Sequence, residues 1–291
     1  FGVRLVDASE EPYVKIPVPG GGRIMRYYYF NRELADVEAT VSIQKLKVHL
    51  YSGVSLTIKN LFGLPPVPPY GWAARSYLHY LVRLPPCLVD LAAIFRPCLN
   101  IIDGLIGEEL QEWQGPPVES NVLAVGDNPV ATDAVGTMLM GFNPQAEFPE
   151  EPNLFDISHL NMASGAGLAP NDPRQIEMLG DDVESAKTRF RKRFAGDTPP
   201  EYHEKARKQL CQDALFYRDN VSRFSREYRG KYIGLQEQKV LWSADGMDEI
   251  REKMRRLHFT FREKLTPAYK APFIKKVEPE ESDPEVYDAY T

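Results

Sequence analysis

Ala39-Thr40-Val41-Ser42-Ile43-Gln44-Lys45-Leu46-Lys47-Val48-His49 decides the fold. The run opens on small, β-branched and apolar residues, as a strand buried in a sheet does, and passes without a break into Lys45, Lys47 and His49. A buried strand that ends in charge suits an open α/β sheet, where ligands gather just beyond the carboxyl ends of the strands. Outward from this run strands and helices alternate. Upstream, residues 13–18 and 23–30 form a hairpin around Gly20-Gly21-Gly22, and Asn31 caps a short helix over 32–36. Downstream, the apolar stretch 54–58 ends in Lys59-Asn60. A proline-dense loop over 64–69 then precedes helical periodicity at 71–83 and 88–95.

Residues 99–104 and 121–127 read as strands, the first ending in Asp103-Gly104 and the second in Asp127. Pro129 opens an amphipathic helix through Met140, with Gly141 just past its end. A further helix is expected at 156–166 and a last strand at 175–179. The predicted class is therefore α/β, with a mixed or mostly parallel sheet, helices on both faces, and a helical and ββα C-terminal appendage. Four segments follow from the changes in composition: an α/β domain over 1–180, a charged helical segment over 181–229, a ββα unit over 230–257 and an extended acidic tail over 258–291.

The chain has 291 residues, 43% of them hydrophobic, which is enough to bury one large core and a smaller one. A net charge of −6 leaves no global basic field, so neither nucleic acid nor an anionic membrane is an expected partner. The basic run at 187–193 is local and reads as a solvated helix face. Cys87, Cys98 and Cys211 are far apart and form no C-x-x-C pair, so this chain supplies neither a thiolate zinc site nor an iron–sulfur cluster. Reduced thiols and the lack of any apolar stretch near the ~20 residues of a membrane helix predict a cytoplasmic protein. The chain opens on Phe1 rather than Met, so a targeting signal would have to precede it.

Two groups of charged residues stand near the expected strand ends. Lys45, Lys47, His49 and Lys59 are the candidate catalytic and anion-binding set: at a period of two, Lys45, Lys47 and His49 share one strand face and would hold a carboxylate or phosphate. Asp103, Asp127 and Asp133 are the candidate ligand- or metal-binding set. Gathered at one sheet edge they would bind a divalent cation through oxygen or pair with the lysines, and His49 beside Asp103 or Asp133 would make a mixed nitrogen–oxygen site. The competing reading is structural: a solvated edge strand for the lysines, and helix capping or ion pairing for each aspartate. His79 and His159 read as packing or surface residues. Nucleophile elbow, phosphate loop and zinc-protease helix are all missing from the sequence.

Five stretches resemble the family called domain of unknown function 362. They are VSIQKLKVH at 41–49, TIKNLFGL at 57–64, IIDGLIG at 101–107, GDNPVATDAV at 126–135 and LMGFNP at 139–144. The resemblance extends over about residues 1–180 and implies an uncharacterised α/β domain. It also implies that relatives begin with about a hundred residues of βα units before the segment that opens here. Many relatives carry a ferredoxin-like cysteine cluster that this sequence lacks. The strand–strand–helix unit near 230–257 resembles another small uncharacterised module. Two functions follow as expectations. One is an enzyme or enzyme-like domain that binds a small anionic molecule, with a divalent metal as candidate cofactor. The other is a non-catalytic assembly subunit, a homo-oligomer built through the appendage and tail.

Overall fold

The computed structural model describes residues 2–10, 12–23, 25–66, 78, 84–154, 157–192, 200–256 and 272–277. Alternation in the opening segment produces the expected hairpin: β1 (Tyr13–Pro17) pairs antiparallel with β2 (Tyr27–Asn31). Asn31 then caps α1 (Arg32–Ala35) by accepting the Glu33 N–H at 2.9 Å. Tyr28 and Phe30 point inward, and the Tyr28 hydroxyl donates to the buried Asp90 carboxylate at 3.0 Å.

The deciding strand is β3 (Val41–His49), which turns tightly into β4 (Gly53–Ser55). The apolar stretch 54–58 is not one strand, because α2 (Thr57–Asn60) starts inside it. After α3 (Leu84–Phe95), β5 (Leu99–Glu108) runs parallel to β3, and β6 (Pro117–Gly126) returns antiparallel to β5. The sheet order β4-β3-β5-β6 makes a mixed sheet whose parallel pair is β3 and β5. The helical periodicity expected over 71–83 lies outside the described residues apart from Leu78.

Asn128 caps α4 (Pro129–Leu139), accepting the Val130 and Ala131 N–H groups at 2.9 and 3.3 Å, so the cap is not Asp127. Ser158 caps α5 (His159–Gly165). One face of the sheet presents Leu46, Val48, Ile102, Val122 and Ala124 beneath α4 and Leu56. Among the described residues helices cover this face, whereas the opposite face stays open rather than being covered as expected. The strand expected over 175–179 is absent: Asp172 accepts the Arg174 N–H at 3.0 Å and Pro173 carries no amide hydrogen, so a tight turn forms at Pro173–Gln175.

The α/β body does not end at residue 180. After α6 (Val183–Ala186), Thr188 and Phe190 donate to the Leu139 and Met140 carbonyls at 2.9 and 3.0 Å, and Phe190 enters the core under the sheet. Residues 188–192 thus belong with the sheet. The appendage comprises α7 (Pro200–Asp219), α8 (Val221–Glu227), β7 (Tyr232–Gln236), β8 (Lys239–Ala244) and α9 (Met247–Arg256). A third strand, β9 (Phe273–Lys276), lies where a tail was expected and pairs antiparallel with β7. Residues 278–291 lie outside the described part.

Candidate functional site

The seven sequence-selected side chains separate into different neighbourhoods. Lys45 and Asp103 face each other across β3 and β5, with the ammonium 2.8 Å from Asp103 Oδ2, and both remain open to solvent. The Lys45 bond, followed by the Leu105 N–H bond, draws the Asp103 pKa down. Asp103 does not end its strand, since β5 continues to Glu108. The pairing of β3 with β5 shifts register between Lys45 and Lys47, the extra residues lying in β5 before Glu108, and Lys47 Nζ donates to the Glu112 carbonyl at 3.2 Å. Asp127 follows β6, which runs against β3, so it lies near the start of β3. That is about 25 Å along the strand from His49 at 3.3 Å per residue.

Beyond the carboxyl end of β3 the chain builds a buried polar turn. His49 Nδ1 accepts the Tyr51 and Ser52 N–H groups at 3.1 and 3.2 Å, which fixes this nitrogen as an acceptor. Glu112 accepts the Leu50 N–H at 3.1 Å. Gly53 has φ of 77°, and a Cβ there would lie 3.0 Å from both the Pro152 carbonyl and Asn153 Oδ1. Lys192 reaches in from the segment after α6, its Nζ 2.7 Å from the His49 carbonyl and 3.0 Å from that of Gly53. Burial pulls this ammonium down to about 7, against the opposing pull of Glu112 and Glu151. Beside it Glu109 binds the Arg191 backbone and guanidinium. Burial raises its carboxyl, and the Arg191 bonds outweigh that to hold it below its ordinary value.

Asp133 is fully buried in α4 and serves a helix other than its own. Its two oxygens accept the Thr57 and Ile58 N–H groups at 2.7 and 2.8 Å, closing the start of α2. Burial pushes its carboxyl up to about 7 although these bonds oppose the shift. At the other end of α2, Lys59 stands over the Phe62 ring at 4.7 Å.

His159 opens α5 beside the His49–Gly53 turn and is 1% exposed. Burial, with the nearby Lys59 charge, lowers its pKa to about 4. The Ser52 backbone approaches the ring and favours its protonated form, yet that contact falls short of a hydrogen bond, so both ring nitrogens are buried without a hydrogen-bond partner among the described residues. From sequence His159 reads as a packing or surface residue, and Lys192 as one of a local basic run at 187–193. His159 carried no local signal beyond its place after the cap Ser158.

A divalent cation does not fit the expected set, because Asp103, Asp127 and Asp133 occupy three separate places and Asp133 is engaged with backbone amides. Among the described residues no group of three or more His, Cys, Asp or Glu side chains is arranged to hold a metal ion. What the geometry defines is an α/β domain with a buried, partly unsatisfied polar region at the carboxyl end of its central strand. Residues 1–138, just under half of the chain, match the family described as Domain of unknown function (DUF362), the family that the sequence resembles. The match ends within α4, short of the 180 residues the resemblance implied. The chain is also similar to the thylakoid-associated protein sll1697 of Synechocystis sp., at 29% identity over 115 residues. That alignment covers 39% of this chain and 36% of that protein, so the chain spans about a third of its relative. No solved structure matches the chain significantly.

Proposed function

We propose that the α/β domain binds a small anionic molecule beyond the carboxyl end of β3, between the His49–Gly53 turn, α2 and the start of α5. His159 carries this reading: a buried imidazole whose two nitrogens lack hydrogen-bond partners is costly unless a ligand completes it. Burial keeps the ring neutral, so it offers one donor and one acceptor, as an oxyanion bearing one proton requires. The charge of Lys59 supplies the attraction. Lys192, His49 and Asp133 have positioning roles, since they hold the turn and α2. Lys45 and Asp103 fall outside this site.

Calorimetric titration with inorganic phosphate and with malonate tests the reading. Saturable binding is expected, weakened at least about tenfold by Lys59→Met and by His159→Gln. Absence of saturable binding up to about 10 mM for either anion would overturn it. A relative associated with thylakoids sets a membrane-surface location against the cytoplasmic one. Cell fractionation decides between them. No helix among the described residues is long and apolar enough to cross a membrane.

A further inference from the structure

The open face of the mixed sheet is apolar in register across three strands. Ile43, Ile101 and Val125 form one row across β3, β5 and β6, Val41 lies beside Leu99, and Lys45, Asp103 and Leu123 form the row beyond. Val41 is 55% exposed, Ile43 64%, Leu123 64% and Val125 56%. With Leu99 and Leu105 these side chains leave roughly 600 Å² of apolar surface, at the upper limit for the largest patch of a typical monomer. Parallel strand pairs such as β3 and β5 ordinarily have both faces covered. The described helices cover the other face.

We propose that a second copy of this chain covers this face, the two sheets packing across a two-fold axis. Two observations favour a second copy. The first is area: adding Lys45 and Asp103 brings the patch to roughly 800 Å², which is what each partner contributes to a standard interface. The second is charge. Within the patch Lys45 and Asp103 neutralise one another at 2.8 Å, and the remaining charge, the exposed Asp127 one residue past Gly126, stands at its rim opposite Leu99, so the centres of two identical faces meet without like charges between them. Sheets stack face to face at about 10 Å with interdigitating side chains, and the rows around Ile43 and Leu123 suit that arrangement. The contact differs from the expected assembly through the appendage and tail.

Sedimentation of the full chain from about 1 to 100 µM tests the proposal. The expected result is a species of twice the 33.1 kDa chain mass, with the dissociation constant raised at least about 100-fold by Ile43→Asp and separately by Leu123→Lys. Both positions face solvent in one chain, so near-ultraviolet circular dichroism of the two variants should match the parent. Leu123 lies on β6 and Ile43 on β3, with β5 between them, so a folding failure of one leaves the other informative. A monomer at every concentration would overturn the proposal. So would a dimer that neither substitution weakens, or a monomer that instead binds anionic lipid vesicles through this face.

Discussion

Asp133 in α4 and Ile58 in α2 are joined by a 2.8 Å hydrogen bond from amide to carboxylate, and the neighbouring Thr57 amide closes a second at 2.7 Å. The residue preceding α2 is Leu56, whose side chain cannot cap, so a carboxylate 75 residues away in sequence satisfies the first amides. Asp133→Ala strands both donors in a buried place and should lower unfolding stability by about 3 kcal/mol. Asp133→Asn keeps one acceptor oxygen and should lose about half as much. Urea titration of the three proteins measures both values, and equal stability of the alanine variant would contradict the capping role.

Asp133 and His159 should tilt the pH dependence of stability in opposite directions. The Asp133 pKa rises from 3.8 to about 7 in the fold, so its contribution is fully present below pH 3.8 and is lost as pH rises through 7. The His159 pKa falls from 6.5 to about 4, so its contribution is present above pH 6.5 and is lost as pH falls through 4. The windows overlap and partly cancel. Asp133→Asn should therefore make stability climb more steeply from pH 4 to 6.5, whereas His159→Gln should make it fall toward pH 7. Superimposable profiles of urea midpoint against pH would refute both assignments.

Lys192 ties the segment after α6 to the β3–β4 turn through two backbone carbonyls. Its pKa drops from 10.5 to about 7, so stability from this group is present above pH 10.5 and lost as pH falls through 7. Lys192→Met removes that slope. It also takes a charged donor from the His49 and Gly53 carbonyls, at a cost of about 1–3 kcal/mol near pH 7. Amide exchange at residues 50–53 should accelerate more than exchange in β5. Uniform acceleration would mean that the lysine supports the whole domain rather than the turn.

What the sequence disclosed, and what it hid, divides along local and distant interactions. The hairpin of β1 and β2, the Asn31 cap and the Pro129–Gly141 helix signals depend on neighbours in sequence, and each forms as read. The mixed sheet was likewise legible from the apolar runs. The end of the apolar stretch 54–58 was not, because a carboxylate from α4 starts a helix there. The reach of β5 past Asp103 depends on its pairing with β6 from Val122 back to Pro117 and with Lys47 of β3. Among site residues, Lys59 was noticed for its charge. His159 reads from sequence as a packing or surface residue and Lys192 as part of a basic run, because burial and the lack or kind of partner are tertiary properties.

Gly136 places α4 against the sheet, and two effects of Gly136→Ala compete there. Alanine inside a helix ordinarily gains about 0.5–1 kcal/mol over glycine. A Cβ at this position, however, would lie 2.7 Å from Ile102 Cδ1 and 2.9 Å from Leu56 Cδ1, closer than carbon atoms pack. Overpacking of this kind costs about 1–3 kcal/mol, so the clash should win and the variant should be destabilised by about 1 kcal/mol or more. Ile102→Val deletes the methyl that meets the new Cβ at a cost of about 0.5–1.5 kcal/mol when made alone. With Gly136→Ala in place that methyl obstructs the new Cβ, so deleting it in the double variant relieves the clash and the two changes should couple favourably by at least about 0.5 kcal/mol. Additive losses in a double-mutant cycle would show that α4 shifts away from the sheet rather than pressing on Ile102.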